Sequence, residues 1–340
     1  MSAAQNQIFV QKKTFFFIPC RELTNPFTMQ TSYSRRRLLQ TIGLSPLLAG
    51  ALLPLTAATP AIPAVDPKFQ HRLKLSLNCY SFNTPLRAGQ IDLFDLLDFC
   101  AANNIDAIDP TGYYFPTYPD VPADEYLYRF KRKAFLLGID ISGSGVRNDF
   151  TLTDPKKRKA DIEHVKRWII ASEKLGAPTL RVFAGVTSHP GFTRDQVFEW
   201  MAADLRECVE FGQTHGVVVA IQNHNDFLKT ADDVLNLFQL VNSDWLGLNL
   251  DIGSYRSADP YDEIRRTIHL AVTWQIKEQV YFNGQEQKTD YPRLISLIKE
   301  SGYRGYLPLE TLGAGDPFIK LPRMLNEVRA ALGQHEPLPQ

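Results

Sequence analysis

The sequence predicts an α/β protein, a single-domain (β/α)8 barrel over residues 72–333. Three observations carry this expectation. Eight short apolar runs alternate with eight amphipathic stretches from residue 72 onward. These units fill roughly 260 residues, close to the length of about 250 typical of such a barrel. Four of the runs end in a polar residue where strand meets loop, which is where a barrel builds its active site.

The expected strands, in order, are 73–78, 105–109, 139–145, 179–185, 217–223, 246–251, 271–277 and 306–310. The expected helices are 91–104, 124–138, 161–176, 194–216, 230–242, 261–270, 290–302 and 318–332. Two of them run into Gly138 and Gly176, the residue that best closes a helix in the left-handed conformation. Thr230, followed by Asp232 and Asp233, suits a helix N-terminus. A doubly wound open sheet is the structural alternative. It usually carries a glycine-rich phosphate loop after its first strand. The segment NCYSFNTPLRAGQ (78–90) contains no such loop.

Composition narrows the function classes. The 340 residues are 44% hydrophobic and 22% charged, enough for a full core. Lys plus Arg equals Asp plus Glu at 37 each, which gives no support to nucleic-acid binding. The four cysteines show neither CxxC spacing nor a disulfide framework, and Cys79 and Cys100 read as small core residues.

The N-terminal region reads as a processing segment. Arg35, Arg36 and Arg37 precede an apolar stretch, 41–58, interrupted by Gly43, Pro46, Gly50 and Pro54. This matches a twin-arginine export signal better than a membrane anchor. Residues 29–64 are therefore expected to be signal and linker. Met29 is the expected true start, with 1–28 an upstream extension. The mature protein is expected in the periplasm without a stable membrane anchor.

Candidate chemistry sits at the strand ends. Asp251 closes LGLNLD, and Glu310 closes YLPLE. A glutamate ending an apolar strand is costly to bury unless it is paired or coordinated. Gln222 follows VVVAI, and alternation puts Gln275 and Lys277 on one face of their strand. Taken singly, Asp251 could cap a loop and Gln275 could be a hydrogen-bonded core amide. Together, Gln222, Asp251, Gln275 and Glu310 form an oxygen-donor set that suits Mg²⁺ or Mn²⁺ more than Zn²⁺. Such an ion can polarise sugar oxygens while a carboxylate moves a proton between neighbouring carbons.

AIQNHND, LNLDIGS, WQIKE and GYLPLETL resemble the strand ends of the xylose-isomerase-like TIM-barrel superfamily, particularly its hydroxypyruvate isomerase-like members. The resemblance spans about residues 72–333. It implies a metal-dependent isomerase or epimerase of a small sugar, working through an enediolate. In the family one metal is held by a glutamate, an aspartate, a histidine or glutamine, and a glutamate, on the fifth to eighth strands. Asp251, Gln275 and Glu310 match. Gln222 departs, because glutamate usually stands there and an amide cannot act as a base. Glu310 is then the expected acid/base, with Lys277 and His224 as candidate catalytic partners. Ser254 stands where epimerases often carry histidine.

Arg181, Arg256, Tyr113 and Asn78 are the candidate substrate-binding residues, with Tyr255, Arg147 and Asn148 also placed at the rim. The expected partner is a small sugar and not nucleic acid. Barrels of this family often pair, so a homo-oligomer stays open. Two further readings remain at this point: a lyase or dehydratase acting on a keto-sugar, and a non-catalytic sugar-binding barrel.

Overall fold

The structure, a computed structural model, describes residues 72–186 and 189–334. The extension expected over 1–28 and the signal and linker over 29–64 lie outside the described residues. Among the described residues, no helix is long and apolar enough to cross a membrane.

The strands are β1 (Lys74–Asn78), β2 (Ala107–Asp109), β3 (Asp140–Ile141), β4 (Ser144–Gly145), β5 (Thr179–Phe183) and β6 (Val218–Gln222). They continue with β7 (Leu246–Asp251), β8 (Ala271–Lys277), β9 (Gln279–Phe282), β10 (Gln285–Lys288) and β11 (Tyr306–Glu310). Nine of them form one parallel sheet in the order β3-β2-β1-β11-β8-β7-β6-β5-β4. The ends of this row belong to a single expected strand, 139–145, which divides in two. Its first half pairs with β2 and its second half with β5. A parallel bridge from Thr111 to Gly145 links the two edges, so the sheet is a nearly closed barrel. Because all its strands run one way, their C-terminal ends share one rim.

The helices are α1 (Asn83–Arg87), α2 (Leu93–Ala102), α3 (Asp124–Leu136), α4 (Pro155–Leu175) and α5 (Arg194–Thr214). They continue with α6 (Ala231–Val241), α7 (Pro260–Thr267), α8 (Tyr291–Glu300) and α9 (Pro317–Leu332). Apart from α1 and α3, whose N-cap residues Phe82 and Ala123 make no side-chain bond, their starts follow from side-chain oxygens that satisfy otherwise orphaned N–H groups. Asp92, Thr193 and Thr230 form reciprocal capping boxes with Asp95, Gln196 and Asp233. α4 begins earlier than the expected residue 161, because Asp154 caps it and Pro155 opens its first turn. Gly138 and Gly176 both adopt positive φ after their helices, as expected.

One pair of strands was not expected. β9 and β10 form an antiparallel hairpin outside the barrel. Its turn is Asn283-Gly284, with φ of 49° and 77°, the two positive values that a tight hairpin turn requires. One continuous apolar cluster joins strand residues such as Leu77, Leu248, Trp274 and Leu309 to helix residues such as Met201, Leu237 and Leu294. Cys79, Cys100 and Cys208 are buried free thiols within it.

Candidate functional site

Four neighbouring strands, β6, β7, β8 and β11, bring Gln222, Asp251, Gln275, Lys277 and Glu310 to the rim. Register sorts them further. Asp251 lies opposite Gln275, while Glu310 lies opposite Lys277. Alternation along β8 thus delivers two polar side chains to the mouth at different depths, Gln275 level with Asp251 and Lys277 level with Glu310.

The contacts are dense. Gln222 Nε2 donates to Asp251 Oδ2 at 2.8 Å and also to Gln275 Oε1. Lys277 Nζ lies 2.9 Å from Asp251 Oδ2 and 3.5 Å from Glu310 Oε2. Ser254 Oγ and the Gly253 N–H donate to the two Asp251 oxygens at 2.8 and 3.0 Å. Asn223 exchanges two hydrogen bonds with the Asp251 backbone, fixing that strand end against β6. Asp251 is therefore fully engaged, whereas Gln222 Oε1 and Glu310 Oε2 are buried and lack a hydrogen-bond partner.

Electrostatics separates the charged groups. Burial raises the Glu310 carboxyl above its ordinary value; Lys277 and Arg181 pull it down, while Asp251 pushes it further up. Burial would lower the Lys277 amine, but Asp251 and Glu310 outweigh it and hold the group protonated.

The set Gln222, Asp251, Gln275 and Glu310 was expected to hold a divalent cation, and its geometry does not fit one. A metal needs oxygen lone pairs converging on a common point. Here the Gln222 N–H₂ group fills the space between Asp251 and Gln275. Turning that amide over would set its carbonyl oxygen against the Asp251 carboxylate and the Gln275 carbonyl. The lysine ammonium lies against both carboxylates.

A second carboxylate stands across the mouth. Asp109, at the end of β2, accepts a hydrogen bond from Asn78 Nδ2 at 3.0 Å. Burial raises its carboxyl to about 6; Arg181 opposes the rise and Glu310 adds to it. Asp109 and Glu310 thus sense each other, and both sense Arg181. Sequence reasoning passed over Asp109, although a carboxylate closing a short apolar strand was the signal that found Asp251.

Arg181 is buried, and among the described residues it makes no ion pair within 4 Å. Its guanidinium donates to Val146 O at 3.0 Å and to the Tyr113 hydroxyl at 3.3 Å, and lies over the Phe183 ring. Gly145 makes this possible, since a side chain there would meet the guanidinium at 2.8 Å. Tyr113 is partly exposed and meets Tyr80, Tyr114 and Tyr118 edge-on, and the Tyr80 N–H donates to Asn78 Oδ1 at 2.9 Å, so this aromatic cluster follows directly on the end of β1.

Other expected residues lie apart. His224 contacts Asp226 Oδ2 at 3.4 Å and the Phe183 ring, and lines a 540 Å³ cleft with Arg147, Asp149 and Asp161. The polar run after β6 turns it outward, so the expected pairing of His224 with Glu310 is not seen. Arg256 lies over the Tyr281 ring of the hairpin. Tyr255 is a core residue whose hydroxyl meets Thr267, not a rim residue. Asn148 is buried and bonds both ways to the Phe183 backbone, so it extends the strand pattern.

The model of the xylose isomerase-like TIM barrel matches residues 97–330. The chain belongs to this family. Among solved structures, this xylose isomerase-like barrel is similar to the 3-keto-D-glucoside 4-epimerase YcjR from E. coli. That match has 13% identity and a TM-score of 0.61, covering 77% of this chain and 100% of that one. The D-psicose 3-epimerase of Clostridium cellulolyticum, solved with D-tagatose, matches at 16% identity and a TM-score of 0.60, over 76% and 97% of the two chains. AsbF of Bacillus anthracis, a probable 3-DHS dehydratase, matches at 18% and 0.57, over 76% and 98%. No curated protein of similar sequence was found. At these identities the solved structures establish the fold of this xylose isomerase-like barrel.

Proposed function

We propose that this chain moves a proton next to the carbonyl of a small sugar or keto-sugar, as an isomerase or epimerase does. One observation carries the reading. Two carboxylates with raised affinity for protons, Asp109 and Glu310, face one mouth beside two cations, Lys277 and Arg181. A base poised near the working pH accepts a carbon-bound proton and can return it. Glu310 is the base, because its Oε2 is buried and meets Lys277 Nζ only at 3.5 Å, without a hydrogen bond of normal geometry. Asp109 is the second acid/base, the part Gln222 cannot play. The Tyr80–Tyr113–Tyr114 wall suits the apolar face of a sugar ring.

Elimination is a second reading that one observation favours. With its carboxyl raised to about 6, Asp109 carries a proton over part of the working range and could protonate a departing hydroxyl. The products decide between the two. Candidate aldoses, ketoses and keto-glucosides are incubated with the enzyme in D₂O and followed by ¹H NMR. Deuterium at a carbon beside the carbonyl supports proton transfer, and a new unsaturated product supports elimination. No exchange and no product across the panel would leave a binding barrel.

A further inference from the structure

We infer that Lys277 takes the place of a divalent cation, so that this barrel polarises its substrate with an internal ammonium. The inference rests on the proton-transfer reading for its chemistry, but its geometry stands alone. Lys277 Nζ is within 3.5 Å of both carboxylates of the cluster. Its side chain is 12% exposed, against 0% for Asp251 and 5% for Glu310, so it is the most accessible of the three charges.

The lysine is built into the fold at both ends. Its carbonyl accepts hydrogen bonds from Thr289 Oγ1 at 2.8 Å and Tyr291 Oη at 3.3 Å, which pin the end of β8. Its stem crosses Gly253, where a Cβ would lie 2.8 Å from Lys277 Cδ. Gln222 completes the exchange. A neutral amide in place of a carboxylate removes one negative charge, and it turns its N–H₂ rather than its unpartnered Oε1 toward Asp251. Two carboxylates facing one ammonium leave little excess negative charge to draw in a divalent ion.

The step then balances without a metal. Glu310 takes the proton from the carbon beside the carbonyl. The freed C–H pair forms the carbon–carbon double bond of an enediolate, and the carbonyl π pair moves onto oxygen. Lys277 donates a hydrogen bond to that oxygen, where a fixed cation acts most strongly on the developing charge. For isomerisation the proton then returns to the former carbonyl carbon. The hydroxyl proton of the neighbouring carbon passes to the first oxygen, which leaves the new carbonyl on that neighbour, and Lys277 keeps its own.

Mn²⁺ titration of the chelator-treated protein, followed by the EPR signal of free Mn²⁺, tests this directly. The wild type is expected to show no binding at micromolar Mn²⁺. Lys277→Gln, which frees both carboxylates, is expected to bind about tenfold more tightly or better. Micromolar binding by the wild type, or no tightening in a folded Lys277→Gln protein, would overturn the inference. If that variant fails to fold by circular dichroism, the wild-type titration and Lys277→Arg decide, with the arginine variant expected to remain as inert to Mn²⁺ as the wild type. Substrate exchange serves as a separate readout. A wild type that neither exchanges deuterium nor binds Mn²⁺ refutes the proton-transfer reading alone, whereas exchange that requires added Mn²⁺ refutes the inference alone.

Discussion

Asn78 donates its side-chain N–H to Asp109 across 3.0 Å, tying the ends of β1 and β2 together at the rim. The bond fixes one carboxylate oxygen while Asp109 keeps a raised affinity for protons. Asp109→Asn should therefore remove a limb near pH 6 from the pH profile of kcat/KM and lower its plateau by about 10²-fold or more. A profile unchanged in shape would remove Asp109 from the mechanism.

The same group makes a stability prediction. Its folded pKa of about 6 lies above the ordinary 3.8, so the folded protein binds more protons than the unfolded chain between those values. The contribution of Asp109 is thus most favourable at low pH and is lost as pH rises through 6. At pH 7.5, Asp109→Asn should be more stable than the wild type by roughly 2 kcal/mol, and near pH 4 the gain should vanish. Urea unfolding at the two pH values measures this.

Gly253→Ala pushes a methyl into the path of the Lys277 stem. Overpacking of this kind should cost about 1–3 kcal/mol. In a Lys277→Ala background the same change should cost much less, because the stem is gone. A double-mutant cycle in urea reads the coupling; additive effects would mean that the two residues do not meet.

Arg181→Lys loses two directed bonds, to Val146 O and to the Tyr113 hydroxyl. A lysine cannot reproduce the guanidinium fork. The expected cost is about 1–3 kcal/mol in unfolding free energy. Arg181→Gln, which removes the charge as well, should also make Glu310 harder to deprotonate, since the Arg181 cation helps to hold its carboxyl down.

Replacing Arg35, Arg36 and Arg37 together with lysine should hold the precursor in the cytoplasm. Cell fractionation and N-terminal sequencing of the exported form test this, with processing expected between about residues 58 and 65. Continued export of the triple variant would favour an ordinary secretory signal.

The eight strands were legible because near-continuous apolar runs alternate with capped amphipathic helices. Gly138 and Gly176 marked two helix ends correctly. The strand-end rule also brought Gln222, Asp251, Gln275 and Glu310 to one place. What these residues do to one another was not legible. The pairing of Glu310 with Lys277 depends on the register between β11 and β8, which no single segment encodes. Asn283-Gly284, between alternating residues, signalled the hairpin and went unread. Tyr255 and Arg256 follow the same aspartate, yet one is core and the other stacks on that hairpin. Nor was the orientation of Gln222 legible: its N–H₂ donates to Asp251 while its Oε1 is buried without a partner.

The central claim is that Glu310 removes a carbon-bound proton. The most direct measurement is the rate of solvent deuterium wash-in to a substrate carbon, compared between the wild type and Glu310→Gln with folding checked by circular dichroism. The account predicts wash-in beside the carbonyl in the wild type and a loss of about 10³-fold or more in the variant. Wash-in at an undiminished rate in a folded Glu310→Gln protein would contradict it.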